Sequence, residues 1–219
     1  MIKLLHTADW QLGKPFASIQ DPDKQSLVRQ ARIDAIEAVR EAARAHEVEA
    51  VLVAGDLFDS PTVKAAVVSA ALSAIGKIPC PVYAIPGNHD HGGPDSIWQQ
   101  AFFEQERSRL APNLEVCGTS EPRIFDTFAL FPCPLGRRAE SADTTAWLRD
   151  RDVLARVPEK LPRIVLAHGS VLDFSSRSAE AEDGDGSSNR IELDRLPWPE
   201  IDYLALGDWH GTKAVHPKA

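Results

Sequence analysis

The chain reads as an α/β protein built on a parallel sheet with helices on both faces, and three observations predict it. Apolar runs of four or five residues recur at 2–6, 50–54, 81–85, 163–167 and 203–206, with little of the polar alternation of half-exposed strands. Segments with helical spacing separate the first three runs, which gives the order β-α-β-α-β and parallel pairing. Each run then stops at a polar cluster, and open α/β sheets carry their sites where strands end.

In chain order, strand 2–6 leaves through Thr7-Ala8-Asp9-Trp10-Gln11-Leu12-Gly13. A long amphipathic helix over about 24–46 follows. It carries Leu27, Ala31, Ala35, Val39 and Ala42 at helical spacing, with Val28 and Ile36 beside them and Arg29, Arg32, Arg40 and Glu41 on the wet side. Strand 50–54 ends in Gly55-Asp56-Leu57-Phe58-Asp59. Ser60 suits an N-cap and Pro61 a first helical turn, so a helix is expected to open there and to bury Val63, Ala66, Val67, Ala70, Ala74 and Ile78. Strand 81–85 ends, through Pro86, at Gly87-Asn88-His89-Asp90.

Beyond that loop, 97–110 is expected to be helical, with Trp98, Phe102 and Phe103 on it. Short strands near 114–116, 123–125 and 128–131 suggest an antiparallel or mixed second sheet. A helix around 144–154 leads to strand 163–167, which ends at His168-Gly169-Ser170. The acidic, Gly- and Ser-rich stretch 178–189 reads as a surface loop, not a domain linker. Strand 203–206 then ends at Gly207-Asp208-Trp209-His210-Gly211. There is no internal repeat, and one catalytic domain over residues 1–219 is expected.

With 43% hydrophobic and 26% charged residues the chain can bury a sizeable core. No stretch approaches the roughly 18 uncharged apolar residues of a membrane span. The N-terminal residues lack the apolar segment of a secretory signal. Cys80, Cys117 and Cys133 are odd in number and show no C-x-x-C spacing, which fits reduced thiols in a cytoplasmic protein and not a disulfide frame or a zinc site. The net charge of −8 argues against coating nucleic acid through a broad basic surface. It does not exclude a nuclease, because carboxylates gathered at a metal site are neutralised by the bound cations.

Five strand ends share one chemistry: Asp9 and Gln11, Asp56 and Asp59, Asn88 and His89, His168, and Asp208 with His210. Any one of these clusters is more simply a turn or a cap. Five in order, made of carboxylates, imidazoles and amide oxygens without a cysteine, point to hard or borderline divalent cations and a hydrolytic two-metal centre.

The pattern resembles the calcineurin-like metallophosphoesterases, whose motifs run D-x-H, G-D-x-x-D, G-N-H-[DE], a later H, and G-H-x-H. Within that superfamily, residues His6 to Gly13 and Gly55 to Asp59 look most like the SbcD/Mre-type DNA-repair nucleases. The resemblance implies two facing mixed β-sheets flanked by helices, a four-layer sandwich, and two divalent metal ions, manganese first, with magnesium, iron or zinc also accepted. One ion would take Asp9, Gln11, Asp56 and His210, and the other Asp56, Asn88, His168 and Asp208, with Asp56 bridging. The implied reaction is phosphodiester hydrolysis by metal-bound hydroxide, as in an endo- or exonuclease of DNA repair. Asn88 and His89 would face the phosphate, and His89 would be the general acid, oriented by Asp59. DNA, an SMC-like ATPase partner and a homodimeric state also follow from the resemblance. A small-molecule phosphoesterase acting on cyclic nucleotides or nucleotide sugars, or a degenerate non-catalytic scaffold, is the alternative. A protein phosphatase fits less well, because Ser60 stands where those enzymes carry arginine.

Two positions depart from the motifs. Gln11 replaces the histidine of D-x-H, and Asp208 replaces the first histidine of G-H-x-H. The first ion is therefore expected to be held loosely and the second firmly, with oxygen-rich donors favouring manganese or magnesium over zinc. Family members also continue beyond the last motif into a capping domain, whereas nine residues follow His210 here; a compact member or a C-terminally truncated chain would both look like this. Among smaller signals, His91 is either a substrate contact or a solvated histidine. Trp10 and Trp209 could stack on a base but are expected to pack under the loops. Arg137 and Arg138 read as a solvated pair, His6 as a core histidine, and His216 carries no signal.

Overall fold

The computed structural model describes residues 2–171, 188–209, 214 and 216–218. The first layer begins with β1 (Leu4–Thr7), β2 (Ala50–Val53), β3 (Val82–Ala84) and β4 (Leu114–Val116), hydrogen-bonded in that order and parallel throughout. The second sheet is mixed. Its order is β10 (Tyr203–Gly207), β7 (Arg163–His168), β6 (Ala129–Cys133) and β5 (Arg123–Ile124), and only the β5–β6 pair is antiparallel. A short pair, β8 (Ser170–Val171) with β9 (Arg190–Ile191), lies outside both sheets.

The strands' two-residue period explains how these layers stack. Ala50 and Leu52 of β2 share a buried cluster with Leu130 of β6, Ile164 and Leu166 of β7 and Ala205 of β10, so the sheets pack face to face. The alternate residues, Val51 and Val53, turn outward onto helices α1 (Pro22–His46), α2 (Ala65–Ile75) and α3 (Ala101–Leu110). On the other side Ala129, Phe131, Val165 and Ala167 meet α4 (Arg151–Ala155) and the short helical turn Ala146–Arg149. The expected fold class is thus what the chain adopts: helix, sheet, sheet, helix.

Several details differ from the sequence expectations. Helix α1 starts earlier, at Pro22, capped by the Asp21 carboxylate, which accepts from the Asp23 and Lys24 N–H groups. Its buried stripe runs through Ile36 and Ala43 with Ile33 and Val39, while Leu27 is 69% exposed. Ser60 does not cap a helix; its hydroxyl accepts from the Thr62 N–H in a local turn, and α2 begins only at Ala65, burying Val68, Ala71, Leu72 and Ile75. The 97–110 helix is interrupted at Gln100, between a 3₁₀ turn over Ile97–Gln99 and α3. Strand β4 joins the first sheet, beside β3, and not the second. Most of the 178–189 stretch, and His210 and Gly211, lie outside the described residues.

Cys117 and Cys133 are buried, Cys80 is half-buried, and burial pushes the Cys117 and Cys133 thiols up to about 12, so they stay protonated, as expected of reduced thiols. Among the described residues no helix is long and apolar enough to cross a membrane.

Candidate metal centre

The loops that follow β1 and β2 are paired as if the parallel ladder continued past the strands. The Asp9 N–H donates to Gly55 O at 3.2 Å, Gln11 N–H to Asp56 O at 2.8 Å, Leu12 N–H to Leu57 O at 3.0 Å and Asp59 N–H to Leu12 O at 3.1 Å. This pairing holds an unfavourable backbone. Asp9, Gln11, Asp56 and Asp208 have φ of 55, 43, 55 and 100°, and each residue so placed costs on the order of 1–3 kcal/mol. Four of the residues expected to be ligands are therefore in the left-handed region, where non-glycine residues settle only when their surroundings force them.

The loop after β3 is tied in by Asp90. Its carboxylate is fully buried and accepts from the Phe58 N–H at 2.9 Å and the Gly87 N–H at 2.7 Å, while its carbonyl takes the Trp98 indole N–H. Burial, then the nearby Asp56 charge, push its pKa up to about 7 against those two N–H bonds. Gly87 has to be glycine, because a Cβ there would stand 2.2 Å from Asp56 Oδ1.

The second sheet contributes His168, which is fully buried at the end of β7. Its Nδ1 lies 2.8 Å from the Ala54 carbonyl oxygen, a contact that requires the proton on Nδ1 and leaves Nε2 facing the loops. Nε2 is 2.9 Å from Asn88 Oδ1 and 3.7 Å from both Asp56 Oδ2 and Asp208 Oδ1. With its amide nitrogen toward the carboxylate, Asn88 donates to Asp56 Oδ2 at 3.0 Å. Burial lowers the His168 pKa, but Asp56, Asp208 and Asp9 together outweigh it and hold the imidazole up at about 9. A proton on His168 thus stands where a cation's charge would serve. Asp208 is anchored by the Ser170 hydroxyl, which donates to its Oδ2 at 2.5 Å, and its own N–H donates to Asp9 Oδ2 at 3.2 Å.

Asp9, Asp56 and His168 offer three ligand atoms that all lie within 4.8 Å of one another. Two carboxylates and a neutral imidazole Nε2 form a donor set that fits manganese, iron, magnesium or zinc. Across the site, His89 is one-fifth exposed. Its backbone N–H donates to Asp56 Oδ1 at 2.9 Å. Its Nδ1 is 3.2 Å from the Asp59 carbonyl oxygen and 3.9 Å from Asp59 Oδ1, so the main chain of Asp59 lies nearer than its carboxylate. Burial raises the Asp59 pKa, while His89, Lys14 and Arg32 pull it down.

Of the residues singled out in the sequence, Asp9, Gln11, Asp56, Asp59, Asn88, His89, His168 and Asp208 lie on the loops brought together at this edge of the two sheets; His210 lies outside the described residues. His91 turns aside to accept from the Gly93 N–H at 3.3 Å. Trp10 packs on the first core and donates to Thr7 Oγ1, as expected, but Trp209 is 46% exposed. His6 is half-buried against the Tyr203 hydroxyl at 3.0 Å, and His216 stacks on Trp198.

Three contributions escaped sequence reasoning: the Asp90 clamp, the Ser170 anchor and Lys14, whose Nζ donates to Gln11 Oε1 at 3.0 Å. Only Lys14 had a readable signal, since it lies three residues beyond Gln11 across a glycine turn.

A left-handed loop pair, a histidine held across two sheets and carboxylates gathered at the strand ends make a centre able to hold a divalent cation. The family model for calcineurin-like phosphoesterases matches residues 2–212, and the chain belongs to that family. Among its curated relatives is the SbcD component of the nuclease SbcCD from Escherichia coli strain K12, 32% identical over 249 aligned positions that cover 98% of this chain and 57% of the relative. The same-named protein of E. coli O157:H7 gives the same figures. The DNA double-strand break repair protein Mre11 of Methanosarcina acetivorans is 27% identical over 98% of this chain and 31% of its own length. The chain therefore spans little more than half of the first and under a third of the last.

Proposed function

We propose that this chain is a single catalytic domain that hydrolyses phosphodiester bonds in DNA, with manganese as its working cation. The observation that carries the reading is the meeting of Asp9, Asp56 and His168 beside the part-exposed imidazole of His89. Asp56, Asn88, His168 and Asp208 would hold the cation, with Asp9 adjoining, and the ion would supply an acidified water and offset charge on the phosphate. Its preference for manganese follows from the surplus of oxygen donors.

The protein's own part is proton transfer and positioning. His89 Nε2 lies 4.0 Å from Asp56 Oδ2, beyond hydrogen-bond distance, which leaves it able to donate to a leaving oxygen while Nδ1 is held at Asp59. Asn88 would orient a phosphate oxygen, and the half-exposed Trp209 offers a face on which a base could stack. The relatives' names, a component of a nuclease and a DNA double-strand break repair protein, support DNA as the substrate. A component implies a partner, and the reading takes that partner to be an SMC-like ATPase.

The test is an assay of the purified chain with manganese on single-stranded DNA, 2′,3′-cyclic AMP and an aryl phosphodiester. Cleavage of DNA is expected to exceed that of the cyclic nucleotide. The reverse order would replace the nuclease reading with a small-molecule phosphoesterase, and no turnover of any of the three would leave a scaffold.

A further inference from the structure

The charges of this site are sorted into two halves. Asp9 and Asp56 gather at His168, whose Nε2 lies 3.7 Å from both Asp56 Oδ2 and Asp208 Oδ1. On the other side Gln11 has no carboxylate to offer, and its Oε1 accepts the Lys14 ammonium at 3.0 Å. The turn that brings the two side chains together is fixed by the backbone. Gln11 sits at φ 43° and Gly13 at φ 94°, and the Lys14 N–H donates back to Gln11 O at 3.2 Å. Leu12 between them is fully buried and hydrogen-bonded to Leu57, so the turn cannot swing away without unpacking the core. Gln11 itself is only 2% exposed and Lys14 is half-buried.

A second positive side chain stands nearby. Arg32 donates to the Trp10 carbonyl at 2.7 Å, lies 5.2 Å from the Phe16 ring centre, and acts with Lys14 on the Asp59 carboxyl. An amide oxygen that already accepts an ammonium is a poor ligand for a dication, because two like charges would crowd one neutral oxygen. The same ammonium is a good point charge for a phosphate oxygen.

We propose that Lys14, held on the Gln11 carboxamide, takes the place of a second divalent cation on that side of the site, so that the chain retains one cation firmly and grips the phosphate with a lysine. The inference rests on the phosphoesterase reading above and concerns only how its charge is divided. It changes the expected pair of ions, one firm and one loose, into one ion and one fixed ammonium.

The experiment is a Mn²⁺ titration of the metal-free chain by calorimetry, with native mass spectrometry to count retained ions and inorganic phosphate as a competitive inhibitor of aryl phosphodiester hydrolysis. The natural chain is expected to retain one Mn²⁺. Lys14→Met is expected to keep that ion, to bind a second at least tenfold more tightly than the natural chain does, and to lose phosphate affinity at least tenfold, whereas Lys14→Arg restores phosphate affinity. Two equally retained ions in the natural chain, or a Lys14→Met chain with unchanged second-ion and phosphate affinity, would overturn the proposal. A folded chain that binds no Mn²⁺ would overturn the phosphoesterase reading itself, and this inference with it.

Discussion

His168 of the second sheet is held by Ala54 of the first, its Nδ1 2.8 Å from the carbonyl oxygen. One hydrogen bond between the sheets thereby decides which imidazole nitrogen meets the carboxylates. Because those carboxylates keep His168 protonated up to about pH 9, a cation must displace its proton to bind at Nε2. Affinity for Mn²⁺ is therefore expected to rise from about pH 6 to about pH 9, by close to tenfold per pH unit if one proton is released. Calorimetry in buffers of different ionisation enthalpy measures that proton directly, and a pH-independent affinity would be inconsistent with this coupling.

Gly55, at φ +86°, lies under the same histidine, and a Cβ there would stand 2.2 Å from His168 Nδ1. Gly55→Ala is expected to lower the melting temperature by several degrees, since the left-handed backbone alone costs about 1–2 kcal/mol. It should also weaken Mn²⁺ binding at least tenfold by pushing the imidazole off Ala54. A variant with normal metal affinity would mean that His168 does not depend on this contact.

His89→Ala is expected to lose roughly 10²–10⁴-fold in rate on DNA, whose alkoxide leaving group needs a proton. On an aryl phosphodiester, whose leaving group departs unaided, the loss should be far smaller. Equal losses on both substrates would remove His89 from the acid role.

Stability of the metal-free chain should fall as pH rises. Asp90 holds its proton up to about pH 7 when folded, against roughly 3.9 unfolded, so between those values the folded chain binds more protons and its contribution is lost on the way up. His168, at about 9 when folded against roughly 6.5 unfolded, continues the decline: its contribution is present below about pH 6.5 and gone above about pH 9. Urea midpoints in chelator should drop in order at about pH 5, 7 and 9. Asp90→Asn should flatten the lower half of that slope while leaving the upper half.

The strands and the loops that end them were legible because both follow local rules: apolar runs make buried strands, and polar clusters stop them. The faces of α1 and α2 were legible only in part. In α1 the expected Ile36 and Val39 do face the core, but Ala31 and Ala35 fit the periodic stripe as well as Ile33 and Ala43 do, and only packing against the sheet selects the latter pair. Strand β4 was assigned to the wrong sheet because three residues carry no record of their partner. At the site, residue types pointed to the ligands, but the Gln11–Lys14 contact depends on a left-handed turn, and the Asp90 clamp on a neighbour 32 positions away. The clamp leaves no mark in a linear pattern, and the contact leaves only the three-residue spacing across Gly13.

The bond from the Asp208 N–H to Asp9 Oδ2 joins residues 199 positions apart. At ribosomal rates of about 5–20 residues per second, the first loop is made roughly 10–40 s before its last partner. During that interval the early loops can form their ladder with β2 but have neither His168 nor Asp208 to complete them. The cluster can therefore close only after β10 has been made, so the last strand of the chain sets the moment at which a cation could be held.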